Sequence, residues 1–299
     1  MAFFVGLRSP RAGTLPRGLY GVQYVLHQTL TILGSGYTAK FLVPLAEQRY
    51  TQIFATSRNP DQHLDHLRPD QRVAFDLARP DTWASIPEAT DVLWCFPAVP
   101  IELVEQFAES ALFHARRLVV LGSTSSYDDG LSAEYPPPWI EETATIDLAK
   151  PRVQGEELLR TRYGAIILRV AGIYGPGRNP IDWIRTGRVK RSRKYVNLIH
   201  VEDLGATCLA ALRHAKSGEV YNVSDGQPRT WNEICETVER HWDIRSSIFD
   251  EPRPDGKRLS NKKMCELLNV DGIGLRHTDL YEALEAIQKN SLNEAGPSR

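Results

Sequence analysis

Short apolar runs without alternation constrain this chain most. Residues 30–33, 52–56, 73–77, 92–96, 118–121, 165–168 and 220–223 are such runs, with helix-length segments between them. A sheet with one wet face needs a polar residue at every second position, whereas runs apolar on both faces suit parallel strands covered by helices on either side. Between two of the runs, Val104, Phe107, Ala108, Ala111 and Leu112 repeat at three and four residues and leave Glu102, Glu105 and Glu109 outward. That is the pattern of a helix lying on a sheet. Strand–helix–strand order with right-handed crossovers then makes the fold class α/β, a doubly wound parallel sheet.

Composition narrows the function classes. At 299 residues, with 42% hydrophobic and 24% charged, the chain has material for a real core. A formal net charge of -1 gives no global pull toward nucleic acid or acidic membranes. Cys95, Cys208, Cys235 and Cys265 are far apart, without CxxC spacing or nearby histidine pairs. Neither a metal site nor a disulfide framework is indicated, and a cytoplasmic, reducing home is expected. Residues 18–39 carry no formal charge, but Gln23, His27, Gln28, Thr29, Thr31 and four glycines interrupt them. They fall short of the roughly 20 consistently apolar residues of a membrane span. Residues 1–28 hold Arg8, Arg11 and Arg17 and no acid, and read either as an untidy extension or as an organelle transit peptide. Between 185 and 194, Arg185, Arg188, Lys190, Arg191, Arg193 and Lys194 are basic, which suits a solvated loop or an anion contact.

After Tyr174 the pattern loosens. The expected organisation is an N-terminal extension (1–28), a dinucleotide-binding domain (29–173 and 198–225) and a smaller substrate lobe (174–197 and 226–292), with strand 220–223 returning to the main sheet. Thr230 with Glu233 forms a capping box, Ser260 precedes a helix over 261–268, and Asp279 sits three residues before Glu282. Asp203 is expected to cap a helix over 204–212, which leaves His200 structural.

The first run leads directly into Gly34, Ser35, Gly36, Tyr37, Thr38 and Ala39, a GxGxxA pattern opening a helix. Gly34 permits the tight turn, Gly36 lets backbone approach a pyrophosphate, and Ala39 lets helix and strand pack closely. The helix start offers unpaired N–H groups and partial positive charge to the phosphates. Pro44 should kink or shorten that helix. The second run ends in Thr56, Ser57, Arg58 and Asn59, with no acid before Asp61. An acid there would hold ribose hydroxyls, so Arg58 beside Ser57 favours a 2′-phosphate and NADP, with NAD the alternative. Asp76 either accepts a bond from the adenine amino group or caps a helix.

Several further segments carry a resemblance. Gly34 to Ala39, the stretch Leu121-Gly122-Ser123-Thr124-Ser125-Ser126-Tyr127, Leu168-Arg169 followed by Gly172-Ile173-Tyr174-Gly175-Pro176-Gly177-Arg178, Asn197 through Asp203, and Tyr221-Asn222-Val223-Ser224-Asp225 occur in this order over roughly residues 29 to 290. Together they resemble the extended short-chain dehydrogenase/reductase family, the NAD-dependent epimerase/dehydratases. The resemblance implies a Rossmann domain with a small C-terminal lobe, often acting on nucleotide sugars. It also implies a serine after the fifth strand and a YxxxK pair on the next helix. There the tyrosine exchanges a proton with substrate, and the lysine lowers its pKa and holds the nicotinamide ribose.

Ser123 occupies the serine position, with Thr124 beside it. The pair is not matched. None of the eleven tyrosines has a lysine four residues later, and counting back from Glu156 puts Leu148 in the tyrosine position and Arg152 in the lysine position. Leucine cannot transfer a proton, and arginine is no simple substitute, although it could touch the coenzyme. The chain thus resembles an atypical member, with Ser123, Thr124 and Tyr127 as catalytic candidates and Tyr135 as another tyrosine within reach. Tyr174 and Arg178 are candidate substrate contacts. The leading expectation is an NAD(P)-binding oxidoreductase or epimerase/dehydratase-like enzyme for a small carbonyl or hydroxyl compound. Its alternative is a catalytically silent NADP-binding sensor or assembly subunit. Neither nucleic acid nor membrane is an expected partner, and a homodimer stays open.

Overall fold

The computed structural model describes residues 27–88, 90–127, 132, 134–247 and 255–294. The expected 1–28 extension therefore lies almost wholly outside the described residues. The strands are β1 (His27–Leu33), β2 (Tyr50–Ser57), β3 (Arg72–Ala74), β4 (Asp91–Trp94), β5 (Arg117–Ser123), β6 (Trp139–Ile140), β7 (Ile166–Val170), β8 (Gly172–Tyr174), β9 (Tyr195–Val196), β10 (Leu198–His200), β11 (Val220–Val223), β12 (Arg229–Thr230) and β13 (Arg258–Leu259). The α-helices are α1 (Tyr37–Ala46), α2 (Pro60–His63), α3 (Ile101–Phe107), α4 (Pro151–Tyr163), α5 (Pro180–Arg185), α6 (Val201–His214), α7 (Trp231–Trp242), α8 (Lys262–Asn269) and α9 (Leu280–Glu294).

Seven strands form one parallel sheet in the order β11-β7-β5-β4-β1-β2-β3. The order reverses beside β1, which opens a crevice at the carboxyl ends of β1 and β4. β4 is buried at all four positions and β7 at all five, as strands covered on both faces must be. The third strand stops at Ala74, so Phe75, Asp76 and Leu77 lie beyond it rather than inside it. Helix α3 continues into a wider π-type turn over Ala108–Leu112, and Val104, Phe107, Ala108 and Leu112 are buried as their spacing requires. Pro44 sits inside α1, which ends two residues later at Ala46.

One face of the sheet carries Leu42, Val43, Leu204, Cys208 and Leu212, and the other carries Val104, Phe107, Leu112 and Leu159. A third core joins Tyr174, Ile181, Ile184, Ile234, Val238, Leu280 and Leu284 in the smaller lobe. Met264, Leu267 and Leu268 of α8 belong to the first of these cores, not to the third. This corrects the expected lobe, which took in all of 226–292. The chain alternates instead: α5, α7 and α9 pack in the lobe, while α6 and α8 pack on the main sheet.

The caps came out unevenly. Thr230 and Glu233 form the reciprocal capping box of α7. Asp279 accepts from the N–H groups of Tyr281 and Glu282 at the start of α9. Asn261, not Ser260, precedes α8. Asp203 is no cap, because α6 starts two residues earlier and the ring of His200 receives the N–H of Glu202.

Candidate functional site

The turn between β1 and α1 is shaped for close approach from outside. Gly34 has φ +83, and a Cβ there would meet the Phe96 ring at 2.7 Å, so only glycine fits without strain. Its N–H donates to Thr56 Oγ1 at 2.9 Å, and the N–H of Ser35 donates to the Thr56 carbonyl at 3.0 Å, which pins the turn against β2. Beside the Cα of Gly36 lies open space. No side chain caps α1, and its first turn holds no acid, so N–H groups and partial positive charge face that opening. The hydroxyl of Ser35 is buried without a partner. A buried orphan hydroxyl beside uncapped amides is the donor set a diphosphate would satisfy, so the residues present fit a dinucleotide.

A cavity of about 510 Å³ opens from this turn. Gly34, Ser35, Gly36, Ser57, Arg58 and Asp76 all line it, as does His63, which sequence reasoning missed. Ser57 Oγ lies 2.9 Å from His63 Nδ1 and accepts the N–H of Asn59. Among the described residues none pairs with the Arg58 guanidinium. Asp76 Oδ1 accepts the N–H of Ala78, so this carboxylate does organise its own turn.

Three motif residues lie elsewhere. Thr38 and Ala39 are buried behind the turn. Tyr37 sends its hydroxyl to the Pro176 carbonyl at 3.1 Å, and the Arg178 guanidinium stands 5.6 Å from its ring centre. Burial pushes the Tyr37 phenol up to about 12, against the pull of Arg178.

A second cavity of about 370 Å³ lies between the end of β5 and the lobe. Ser123 and Thr124 line it together with Trp183, Lys194, Trp231 and Lys257. Ser123 Oγ receives the N–H of Ser125 at 3.2 Å and lies 3.0 Å from Ser125 Oγ. Lys257 donates to the Thr124 carbonyl at 3.1 Å, and Lys150 donates to the Ser125 carbonyl at 2.8 Å, so two ammonium groups hold this turn. Of the basic run, Arg185 pairs with Asp182, Arg191 with Glu239 and Arg193 with Asp255. Lys194 is exposed on the cavity wall, where no described residue pairs with it.

Five of the remaining candidates are engaged outside the two cavities. Tyr127 is 1% exposed and lines neither cavity. Its hydroxyl is bonded to Asn222 Oδ1 and receives Arg169 Nη1 at 3.1 Å, and burial raises its pKa further from that of a usable base. Tyr135 donates instead to the Arg193 carbonyl, with the guanidinium of Arg193 3.6 Å from its ring centre. Tyr174 is wholly buried edge-on to His200 and its hydroxyl has no partner, so it belongs to the lobe core. Arg152 lines neither cavity: Nε donates to Glu156 at 2.7 Å and Nη2 to the Leu121 carbonyl at 2.8 Å. Leu148 is exposed, with no proton to offer. Arg178 donates Nε to the Ile173 carbonyl and lines neither cavity.

A reversing parallel sheet with an uncapped glycine turn at its switch point defines the dinucleotide-fold class of α/β proteins. No family model matches the chain. Protein YeeZ of Escherichia coli, in strains K12 and O157:H7, is 30% identical over 130 residues, 41% of this chain. The match spans 45% of the length of those relatives. A short-chain dehydrogenase/reductase superfamily protein from Agrobacterium tumefaciens with bound NAD superposes with a TM-score of 0.69 at 16% identity, over 90% of this chain and 99% of that one. UDP-N-acetylglucosamine 4-epimerase from Methanobrevibacter ruminantium M1, in complex with UDP-N-acetylmuramic acid, gives 0.69 at 13% identity, over 90% and 99%. In fold, this chain is similar to these short-chain dehydrogenase/reductase and epimerase structures.

Proposed function

We propose that the protein binds a nicotinamide dinucleotide, NADP in preference to NAD. We propose further that it acts on a carbonyl or hydroxyl group of a small molecule held in the cavity beside Ser123. The observation that carries this reading is the turn at Gly34–Gly36, with its orphaned Ser35 hydroxyl and uncapped helix, lining a cavity together with Arg58, which has no partner among the described residues. When bound, the nicotinamide supplies or accepts hydride. Ser123 and Thr124 then orient the substrate oxygen, while Lys194, Trp183 and Trp231 offer a cation and flat apolar walls to the rest of the molecule. An anionic substrate with a planar part, such as a nucleotide sugar, suits those walls, and the structural neighbour holding a UDP-sugar supports the same class.

The NADP preference draws on charge: a guanidinium at the end of β2 favours a 2′-phosphate, whereas an acid there would favour a free ribose. Among the described residues no helix is long and apolar enough to cross a membrane. The four cysteines are unpaired thiols, which suits a reducing compartment such as the cytoplasm.

A saturable thermal shift with NADPH exceeding that with NADH is the expected result, adding about 2.7 kcal/mol of stability at a hundredfold excess over Kd. Equal shifts would remove the NADP preference, and no shift would remove the dinucleotide reading. The second reading, a coenzyme-binding sensor without turnover, is favoured by Leu148 and by the engagement of Arg152 with Glu156. Ser123→Ala separates the two. In an enzyme it should lower kcat at least tenfold with coenzyme affinity unchanged; activity left untouched would remove Ser123 from catalysis.

A further inference from the structure

We propose that His63, held by Ser57, completes a clamp with Arg58 for a 2′-phosphate, and so is a residue that sets the choice of coenzyme. This rests on the dinucleotide reading above and deepens it. His63 ends α2, five residues after Arg58, and both residues line the coenzyme cavity together with Ser57. Ser57 Oγ accepts the N–H of Asn59, so its own hydrogen is free to be donated to His63 Nδ1, 2.9 Å away. That tautomer leaves Nε2–H as the donor atom of the imidazole.

The surroundings favour an anion at this point. Arg58 has no acidic partner among the described residues, while the nearest acid in the α2 segment, Asp61, is 3.8 Å from Arg72. Asp76, which also lines the cavity, accepts the N–H of Ala78 through Oδ1. A phosphate monoester has three acceptor oxygens and charge near -2, which matches the paired N–H groups of a guanidinium and the N–H of an imidazole. A ribose hydroxyl in the same place would meet a cation with nothing to neutralise it. His63 thus discriminates between the two coenzymes without touching the parts they share.

The test is titration of NADPH and NADH, by nucleotide fluorescence at constant salt, against the wild type, Arg58→Ala, His63→Ala and His63→Gln. His63→Ala should weaken NADPH about tenfold and leave NADH within twofold. His63→Gln, which keeps a donor, should recover part of the loss. Equal losses for both coenzymes, or no loss for either, would overturn the assignment of His63. Should the wild type bind NADH as tightly as NADPH, the clamp fails while the dinucleotide reading survives. Should it bind neither, both fail together.

Discussion

The hydroxyl of Tyr127 lies between the Asn222 amide oxygen and the Arg169 guanidinium, and the same guanidinium stands 4.9 Å from the ring centre. Removing that oxygen leaves a buried donor and a buried acceptor without a partner, which costs about 1–3 kcal/mol. Tyr127→Phe should therefore lower the urea midpoint, while the affinity for coenzyme stays within twofold. An unchanged midpoint with turnover abolished would return this tyrosine to catalysis. Its proximity to Ser123 in sequence made it a candidate, but its partner Asn222 is 95 residues away. Turn chemistry is local, so spacing alone gathers Gly34, Ser35 and Gly36 at one turn, and Ser57, Arg58 and Asp76, read from the ends of their strands, line the same cavity. Lys257 reaches Thr124 across 133 residues, and nothing in the spacing of either could have signalled it.

Helix α6 shows how neighbouring groups compete for one end of an element. The sequence offers Asp203 as the cap, a carboxylate being a usual one. Asp203 instead accepts the N–H groups of Arg276 and His277, holding the segment before α9 against α6. His200 caps the helix as a neutral ring stacked on His277, 3.6 Å between centres, with Glu202 bonded to His277. Burial first, then the neighbouring His277, lowers the His200 pKa to about 4, only partly offset by Glu202. In the unfolded chain this ring takes a proton below its ordinary 6.5, whereas the folded protein resists until about 4. Stability from this site is thus fully present above pH 6.5 and is lost as pH falls toward 4, by up to about 3 kcal/mol. His200→Asn keeps a capping oxygen and removes the titration, so its melting temperature should fall less steeply over that window. A slope identical to that of the wild type would show that the acid sensitivity lies elsewhere.

At the scale of the molecule, the pattern of apolar runs was enough for the sheet. Strands buried on both faces announce themselves, and β1, β4, β5, β7 and β11 fall where the runs do. The lobe was far less legible. Its strands β9 and β12 have two residues each, too short for any period, and they pair only because α7 and the basic loop converge. The boundary misplaced around α8 has the same origin, since an amphipathic helix declares that it has a partner but not which one. Helices α5, α7 and α9 sit in one core and α6 and α8 in the other, so the polypeptide is sewn back and forth across the seam. Neither half owns a continuous stretch that could be cut away whole. Scanning calorimetry should therefore record one cooperative endotherm with matching calorimetric and van't Hoff enthalpies, and limited proteolysis should yield no surviving half. Two separated endotherms would mean that the stitches slip independently.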